Sequence, residues 1–212
     1  MNTATLQSIT PDAEPEMIRM ARVSNPSNQD NPSFERLLKY CLTKGHWSVF
    51  EMAHATFEIT TSRAISAQII RHRSFSFQEF SQRYADPADL DTTIPLPEIR
   101  LQHDTNRQAS VEATNPAMIN HLQFLMDSHF KDCQALYESM ISQGVAKETA
   151  RFVLPMASPT RLYMSGSIRS WIHYIAARTY EGTQKEHRLI AEDIRDQLAI
   201  QMPVLASAAG WA

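Results

Sequence analysis

Apolar and polar positions follow two periods along this chain, one near 3.6 and one of 2, and the switches between them outline the elements. Residues 14–24 put Met17, Ile18 and Ala21 on one side of a short helix. Asn31 and Pro32 start a second helix, whose stripe of Phe34, Leu37, Leu38 and Cys41 runs to Gly45. Over residues 53–60, Ala55, Phe57 and Ile59 alternate with His54, Thr56 and Glu58, the pattern of a strand with one buried face. Ser62 then caps a helix that packs Ile65 and Ile69 inward.

Beyond Arg73 the period changes again. Phe75 and Phe77 alternate with Ser74 and Ser76, and the same spacing carries on, with Phe80, Gln82 and Tyr84 on one face and Glu79, Ser81 and Arg83 on the other. This predicts a strand over Glu79 to Tyr84, able to pair antiparallel with residues 53–60. Residues 85–114 show no sustained period and read as loop or short strands.

Asn115 and Pro116 open a long helix to Gln143, roughly 40 Å at 1.5 Å per residue. Its apolar side is Leu122, Leu125, Met126, Cys133, Leu136, Tyr137 and Met140. Three elements follow: a short helix from Ala146 to Leu154 stopped by Pro155, a strand from Thr160 to Met164, and a helix from Ser167 to Arg178 with Ile168, Trp171, Ile172 and Ile175 inward. A last amphipathic helix, 184–200, carries Ile190, Ile194 and Leu198. Helices of mixed length around an antiparallel sheet give an α+β fold, read as one domain over residues 1–212.

Composition narrows the picture. With 212 residues, 43% of them apolar, the chain can bury a full core without a disulfide or a metal. A net charge of −3 argues against a nucleic-acid-binding surface. Cys41 and Cys133 read as buried thiols, and no Cys/His spacing of a metal site occurs, so no metal is expected. The five glycines build neither a G-x-G-x-x-G turn nor a Walker loop. With no signal-like start and no spanning apolar run, no membrane partner is expected and the reading is of a soluble cytoplasmic protein.

The polar chemistry concentrates between Gln68 and Tyr84. Gln68, Arg71 and His72 gather at a helix end, Arg73 follows, and Glu79, Ser81 and Arg83 share a face. Guanidinium forks bind phosphate oxygens bidentately, so a nucleoside monophosphate fits this set. An Arg-His-Arg triplet at a helix C-terminus also complements the macrodipole, which is a purely structural reading. Two other classes remain at this point. One is a single-strand binder stacking bases on Phe75 and Phe77; the other is a hydrolase using Glu79 and His72. Farther along, Arg169, His173 and Ala176 share one face of a helix and Arg178 lies about half a turn away, so two ligands or two subunits can be addressed.

Arg71-His72-Arg73, seven residues, then Ser81 reproduces the RHRx7S signature, and with it the chain resembles the flavin-dependent thymidylate synthases. GHWSVFE, ARFVLP, SIRSWIHYIAAR with the following QKE, and the ARVS near residue 22 resemble the family's other blocks in order and spacing. The resemblance implies reductive methylation of dUMP to dTMP, with methylenetetrahydrofolate as one-carbon donor and NADPH-reduced FAD as hydride source. It also implies a homotetramer with shared active sites. By resemblance Gln68, Arg71, Glu79, Ser81, Arg83, Arg151 and Arg178 match dUMP-binding positions. Ser48, Arg71, His72, Arg73, Glu79, Ser167, Arg169 and His173, with His46, match those for FAD. The sequence departs from the family at Ser167 and His173, where Asn is frequent.

Making C5 of uracil nucleophilic requires addition at C6 or stabilisation of the charge left by loss of the N3 proton. Neither cysteine has an activating neighbour in sequence, which argues against covalent cysteine catalysis. Ser81, without a base, suits phosphate binding. The catalytic assignment falls on Arg178, which matches the family's activating arginine. Whether the one-carbon unit moves directly or by way of the flavin stays open.

Overall fold

The structure is a computed structural model that describes residues 2–90 and 96–211. In chain order the elements are β1 (Thr3–Ile9), α1 (Ala13–Ala21), α2 (Glu35–Lys44), β2 (His54–Ser62), α3 (Arg63–Ile69), β3 (Ser76–Glu79), β4 (Arg100–Gln102) and β5 (Ser110–Glu112). After these come α4 (Pro116–Ser142), α5 (Lys147–Ala150), β6 (Pro159–Ser167), α6 (Ile168–Arg178), α7 (Lys185–Gln201) and α8 (Pro203–Ala209).

The main sheet has the order β1-β2-β6-β3, every pair antiparallel. β2 and β6 run together along their whole length, from His54 opposite Ser167 to Ser62 opposite Pro159. Alternation decides which face is buried: Ala55, Phe57 and Ile59 of β2 and Leu162 and Met164 of β6 enter the core, where Phe57 meets Trp171 of α6 edge-on at 5.0 Å. Ile190, Ile194 and Leu198 of α7 complete that core. Thr56, Glu58, Tyr163 and Ser165 make the polar outer face, tied by Tyr163 Oη donating to Glu58 at 2.6 Å and Thr56 to Ser165 at 2.9 Å.

β1 is an edge strand, and α7 satisfies its free backbone. Asp193 accepts from Ala4 N at 2.9 Å; Gln197 accepts from Leu6 N at 2.9 Å and donates to Ala4 O at 2.8 Å. The edge is thereby closed to further pairing. Neither β1 nor α8 is legible in the apolar pattern, because only Ala4 of β1 is buried. α8 is anchored by Glu14 of α1, whose buried carboxyl accepts from Leu205 N at 2.6 Å.

Several expectations hold. Ser62 caps α3 by accepting from Ile65 N, Asn115 caps α4 by accepting from Met118 N, and Gly45 ends α2 at φ 69°, in the left-handed region where a Cβ is costly. Residues 85–114 contain a short 3₁₀ turn and the β4–β5 hairpin, with 91–95 outside the described residues.

Others are corrected. The strand over Glu79 to Tyr84 ends at Glu79, because the Ser81 carbonyl accepts from both Tyr84 N and Ala85 N and curls the chain into a turn. β3 pairs with β6, which lies between it and β2, so the predicted pairing with residues 53–60 does not form. α2 starts at Glu35, after Pro32 rather than around it, and Ala21 faces solvent. Cys41 is buried, but Cys133 is only half-buried. The largest correction is α4: of its expected apolar side Tyr137 alone is buried, while Leu122, Leu125 and Leu136 are exposed.

Candidate functional site

The candidate residues sort into three groups, each built where two elements end together. The first forms where α3 and α6 stop. Arg178, last residue of α6, donates Nε–H to Nε2 of His72 at 2.9 Å, joining segments 106 residues apart. Guanidinium only donates, so His72 is in the Nδ1–H tautomer. Burial, then the charge of Arg178, pulls the His72 ring down to about 4, leaving it neutral near pH 7. Its ring stands edge-on to Tyr174 at 4.9 Å. Arg71 and Arg73 flank it, both exposed and neither in an ion pair among the described residues. Gln68, one turn back on α3, is near His187 of α7: its Oε1 lies 3.3 Å from Nδ1.

The second group lines a cleft of about 390 Å³ walled by Arg63, Gln82, Arg151, Phe152, Leu154, Pro155 and Met156. Glu79 does not converge with Ser81 and Arg83 as the alternation implied. Its carboxylate turns inward to Ser66 Oγ at 2.6 Å, Thr160 Oγ1 at 3.0 Å and Arg63 at 2.6 Å. Arg83 faces outward, 3.4 Å from Glu148 and over the Tyr84 ring at 5.8 Å. Arg151 lies over Phe152 at 5.9 Å. Gln82 is buried with Nε2 lacking a partner among the described residues, and an unpaired buried amide costs about 1–3 kcal/mol. Arg151, an Arg63 already paired with Glu79 and the amide of Gln82 thus share one cleft, a donor set that an anion with further acceptor oxygens would fit.

The third group meets the 3₁₀ turn Trp47–Glu51 that follows α2. Arg169 pairs with Glu51 at 2.8 Å, and the Ser167 hydroxyl, then Arg169, holds the Glu51 carboxyl below its ordinary range. His173 packs on Trp47 with ring centroids 4.5 Å apart, and His46 meets Tyr40 edge-on at 5.5 Å. Ser48 is exposed on the same turn. Ser167 is buried and its hydroxyl accepts from Ser170 N at 3.3 Å, so it serves as the cap of α6. As the 100° step implied, Arg169 and His173 address one segment and Arg178 another.

Phe75 binds the first group to the core. It stacks edge-on against Trp171 at 4.6 Å and sits over Gly166, where an added Cβ would lie 2.5 Å from the Phe75 ring. Glycine at 166 is what lets the segment after Arg73 lie flat on the end of β6.

Sequence reasoning missed Arg63, Gln82, Glu51, Tyr174 and His187. Arg63 had a signal: a cation in the first turn of a helix opposes the macrodipole, and it is held by Glu79. His187 had one too, lying on the apolar stripe three residues before Ile190 and seven before Ile194. Cys133 has a polar neighbour one helical turn away, its Sγ lying 3.5 Å from His129 Nε2 because the helix brings i and i+4 together. No candidate residue bonds to that pair, and burial pushes the Cys41 thiol up.

The sequence model described as thymidylate synthase complementing protein matches residues 5–204. The chain is 46% identical over 191 residues to a flavin-dependent thymidylate synthase of Synechocystis sp., covering 90% of this chain and 86% of that one. It is 45% identical over 192 residues to a probable flavin-dependent thymidylate synthase of Paramecium bursaria Chlorella virus 1, covering 90% and 88%. In fold it is similar to the UMP/dUMP methylase PolB of Streptomyces cacaoi bound with 5-Br dUMP, with TM-score 0.82, 22% identity, and 98% and 94% of the two chains covered. A signature that folds against the arginine of α6, together with a family match over nearly the whole length, establishes that this chain belongs to the thymidylate synthase complementing proteins, the flavin-dependent thymidylate synthase family.

Proposed function

We propose that this chain methylates dUMP reductively to dTMP, taking the one-carbon unit from methylenetetrahydrofolate and its reducing power from NADPH through FAD. The observation that carries the reading is the bond between Arg178 and His72, which holds the guanidinium of α6 at the family signature. With Nε committed to a neutral imidazole and no other side-chain bond among the described residues, Arg178 can turn its two terminal nitrogens to the ring oxygens of a pyrimidine. There a fixed cation stabilises the charge left when N3 loses its proton. Arg178 is the catalytic residue of this proposal.

The cleft of Arg63, Gln82 and Arg151 suits the nucleotide phosphate, and we assign dUMP to Gln68, Arg71, Glu79, Ser81, Arg83, Arg151 and Arg178, with Glu79 aligning Arg63. FAD falls to His46, Ser48, Arg71, His72, Arg73, Glu79, Ser167, Arg169 and His173. The donor set fits it: exposed Arg71 and Arg73 offer forks to a pyrophosphate, and the inclined rings of His173 and Trp47 offer aromatic faces. Ser167 reaches a ligand only by way of a water, since its hydroxyl caps α6. When bound, reduced flavin supplies the hydride, and the protein positions, polarises and excludes water.

We read the assembly as a homotetramer of single-domain chains spanning 1–212 with shared active sites. The exposed side of α4 is available for such contacts. A cytoplasmic setting belongs to the same reading.

The test is an absorbance spectrum of the purified protein before and after NADPH is added with dUMP. A yellow protein, or stoichiometric FAD uptake, with bleaching by NADPH and dTMP formed on adding methylenetetrahydrofolate is expected. A colourless protein that takes up no FAD would refute the proposal.

A further inference from the structure

A run of hydrogen bonds crosses the molecule from the core to the β4–β5 hairpin, and its direction is decided at one end. Glu186 Oε2 accepts from Arg100 Nη2 at 2.8 Å and from Gln184 Nε2 at 3.0 Å. Burial works to raise the Glu186 carboxyl, and the hydrogen bonds from Arg100 and Gln184 more than offset it, so the group is ionised. A carboxylate only accepts. Gln184 must therefore give its nitrogen to Glu186 and turn Oε1 to Gln68, whose Nε2 is 2.6 Å away.

With Gln68 Nε2 donating there, its Oε1 faces Nδ1 of His187 at 3.3 Å, so Nδ1 carries the proton. Nε2 of the same ring then accepts from the Tyr174 hydroxyl at 3.1 Å. One charge at the protein's rim sets the amide of Gln68 and the tautomer of His187. The imidazole is fully buried on the apolar face of α7 with Ile190, Ala191 and Ile194. It is shut off from any nucleotide, and its one polar contact outside the core is Gln68.

We propose that His187 is a positioning residue for the nucleotide: it locks the Gln68 amide so that the remaining Nε2–H is offered to an acceptor oxygen of dUMP, with Arg100 of the hairpin holding the far end. This rests on the assignment of Gln68 to dUMP made above. It also gives Arg100 and its hairpin a task, since an amide free to flip presents donor or acceptor indifferently, whereas a tethered one presents a donor alone.

The test is steady-state kinetics of the FAD-loaded enzyme with dUMP varied. Gln68→Ala comes first, and a KM for dUMP raised about 5- to 10-fold, the worth of one net hydrogen bond, is expected. His187→Leu should raise that KM by a similar factor with FAD affinity unchanged, and should add nothing in a Gln68→Ala background. His187→Asn, whose amide can donate from near the position of Nδ1, should restore most of the affinity, and Arg100→Gln should raise KM in the same direction. Should His187→Leu not fold, the Asn and Arg100 variants carry the same cycle. An unchanged KM in Gln68→Ala would remove the assignment of Gln68, and the proposal with it. A normal Gln68→Ala effect combined with additive losses in the double variants, or a His187→Asn no better than His187→Leu, would overturn the tether and leave the assignment standing.

Discussion

In the proposed reaction Arg178 acts from a position that its pairing with His72 fixes. A guanidinium whose Nε is already satisfied by a neutral imidazole has a fixed orientation, so the transition state is not charged for ordering a long side chain. Arg178→Ala should abolish dTMP formation while FAD stays bound, measured by product assay and flavin absorbance; retained turnover would end its catalytic role. Ser81→Ala should leave measurable activity, because the hydroxyl has no base beside it. His187 has a signature of its own in stability. Burial first, then Arg178 and His72, pulls its ring from about 6.5 to about 3, so between those values the unfolded chain binds a proton that the folded one refuses. Its contribution is complete above pH 6.5 and is lost as pH falls towards 3, at up to about 1.4 kcal/mol per pH unit. Urea unfolding at pH 7.5 and pH 5 should therefore show wild type losing more stability than His187→Asn.

Among the elements, the end of β6 decides whether the signature segment can lie down. Gly166 is where backbone and Phe75 ring meet, and that ring is backed by Trp171, so it cannot swing away freely. Gly166→Ala should cost about 1–3 kcal/mol, the usual price of overpacking, and should weaken FAD binding along with it because the displaced segment carries Arg71 to Arg73. Thermal unfolding and FAD titration of the same sample check both parts. Elements also mark the limit of pattern reading. The period-2 run past Glu79 looked like strand, but alternation over six residues does not tell a strand from a turn when neither face is strongly apolar. β1 escaped notice for the complementary reason, since its stability comes from α7 side chains bonding its backbone and not from a buried stripe.

At the scale of the molecule, α4 stands out. Phe124 is 69% and Leu125 47% exposed on a 27-residue helix that buries Tyr137 alone. An apolar side left in water on so long a rod is the surface the proposed assembly would cover. Light scattering coupled to sizing should give a particle of about four chains of 24.1 kDa. Phe124→Glu with Leu125→Glu should reduce the particle to smaller species and lose dTMP formation in step, as expected if sites are shared; a monomeric wild type with full activity would contradict it. No helix among the described residues is long and apolar enough to cross a membrane.

The amino-acid order by itself determined the helices with strong caps and stripes, the β2 strand and the spaced Arg-His-Arg signature, because periodicity, capping and spacing are local properties. Which polar residues meet was decided only in three dimensions. Glu79 turning in to Arg63, Gln82 sharing a cleft with Arg151, and the tether from Glu186 to Tyr174 each join parts distant in sequence. Such contacts depend on how the sheet orders its strands and on where α7 crosses it, and no local pattern encodes either.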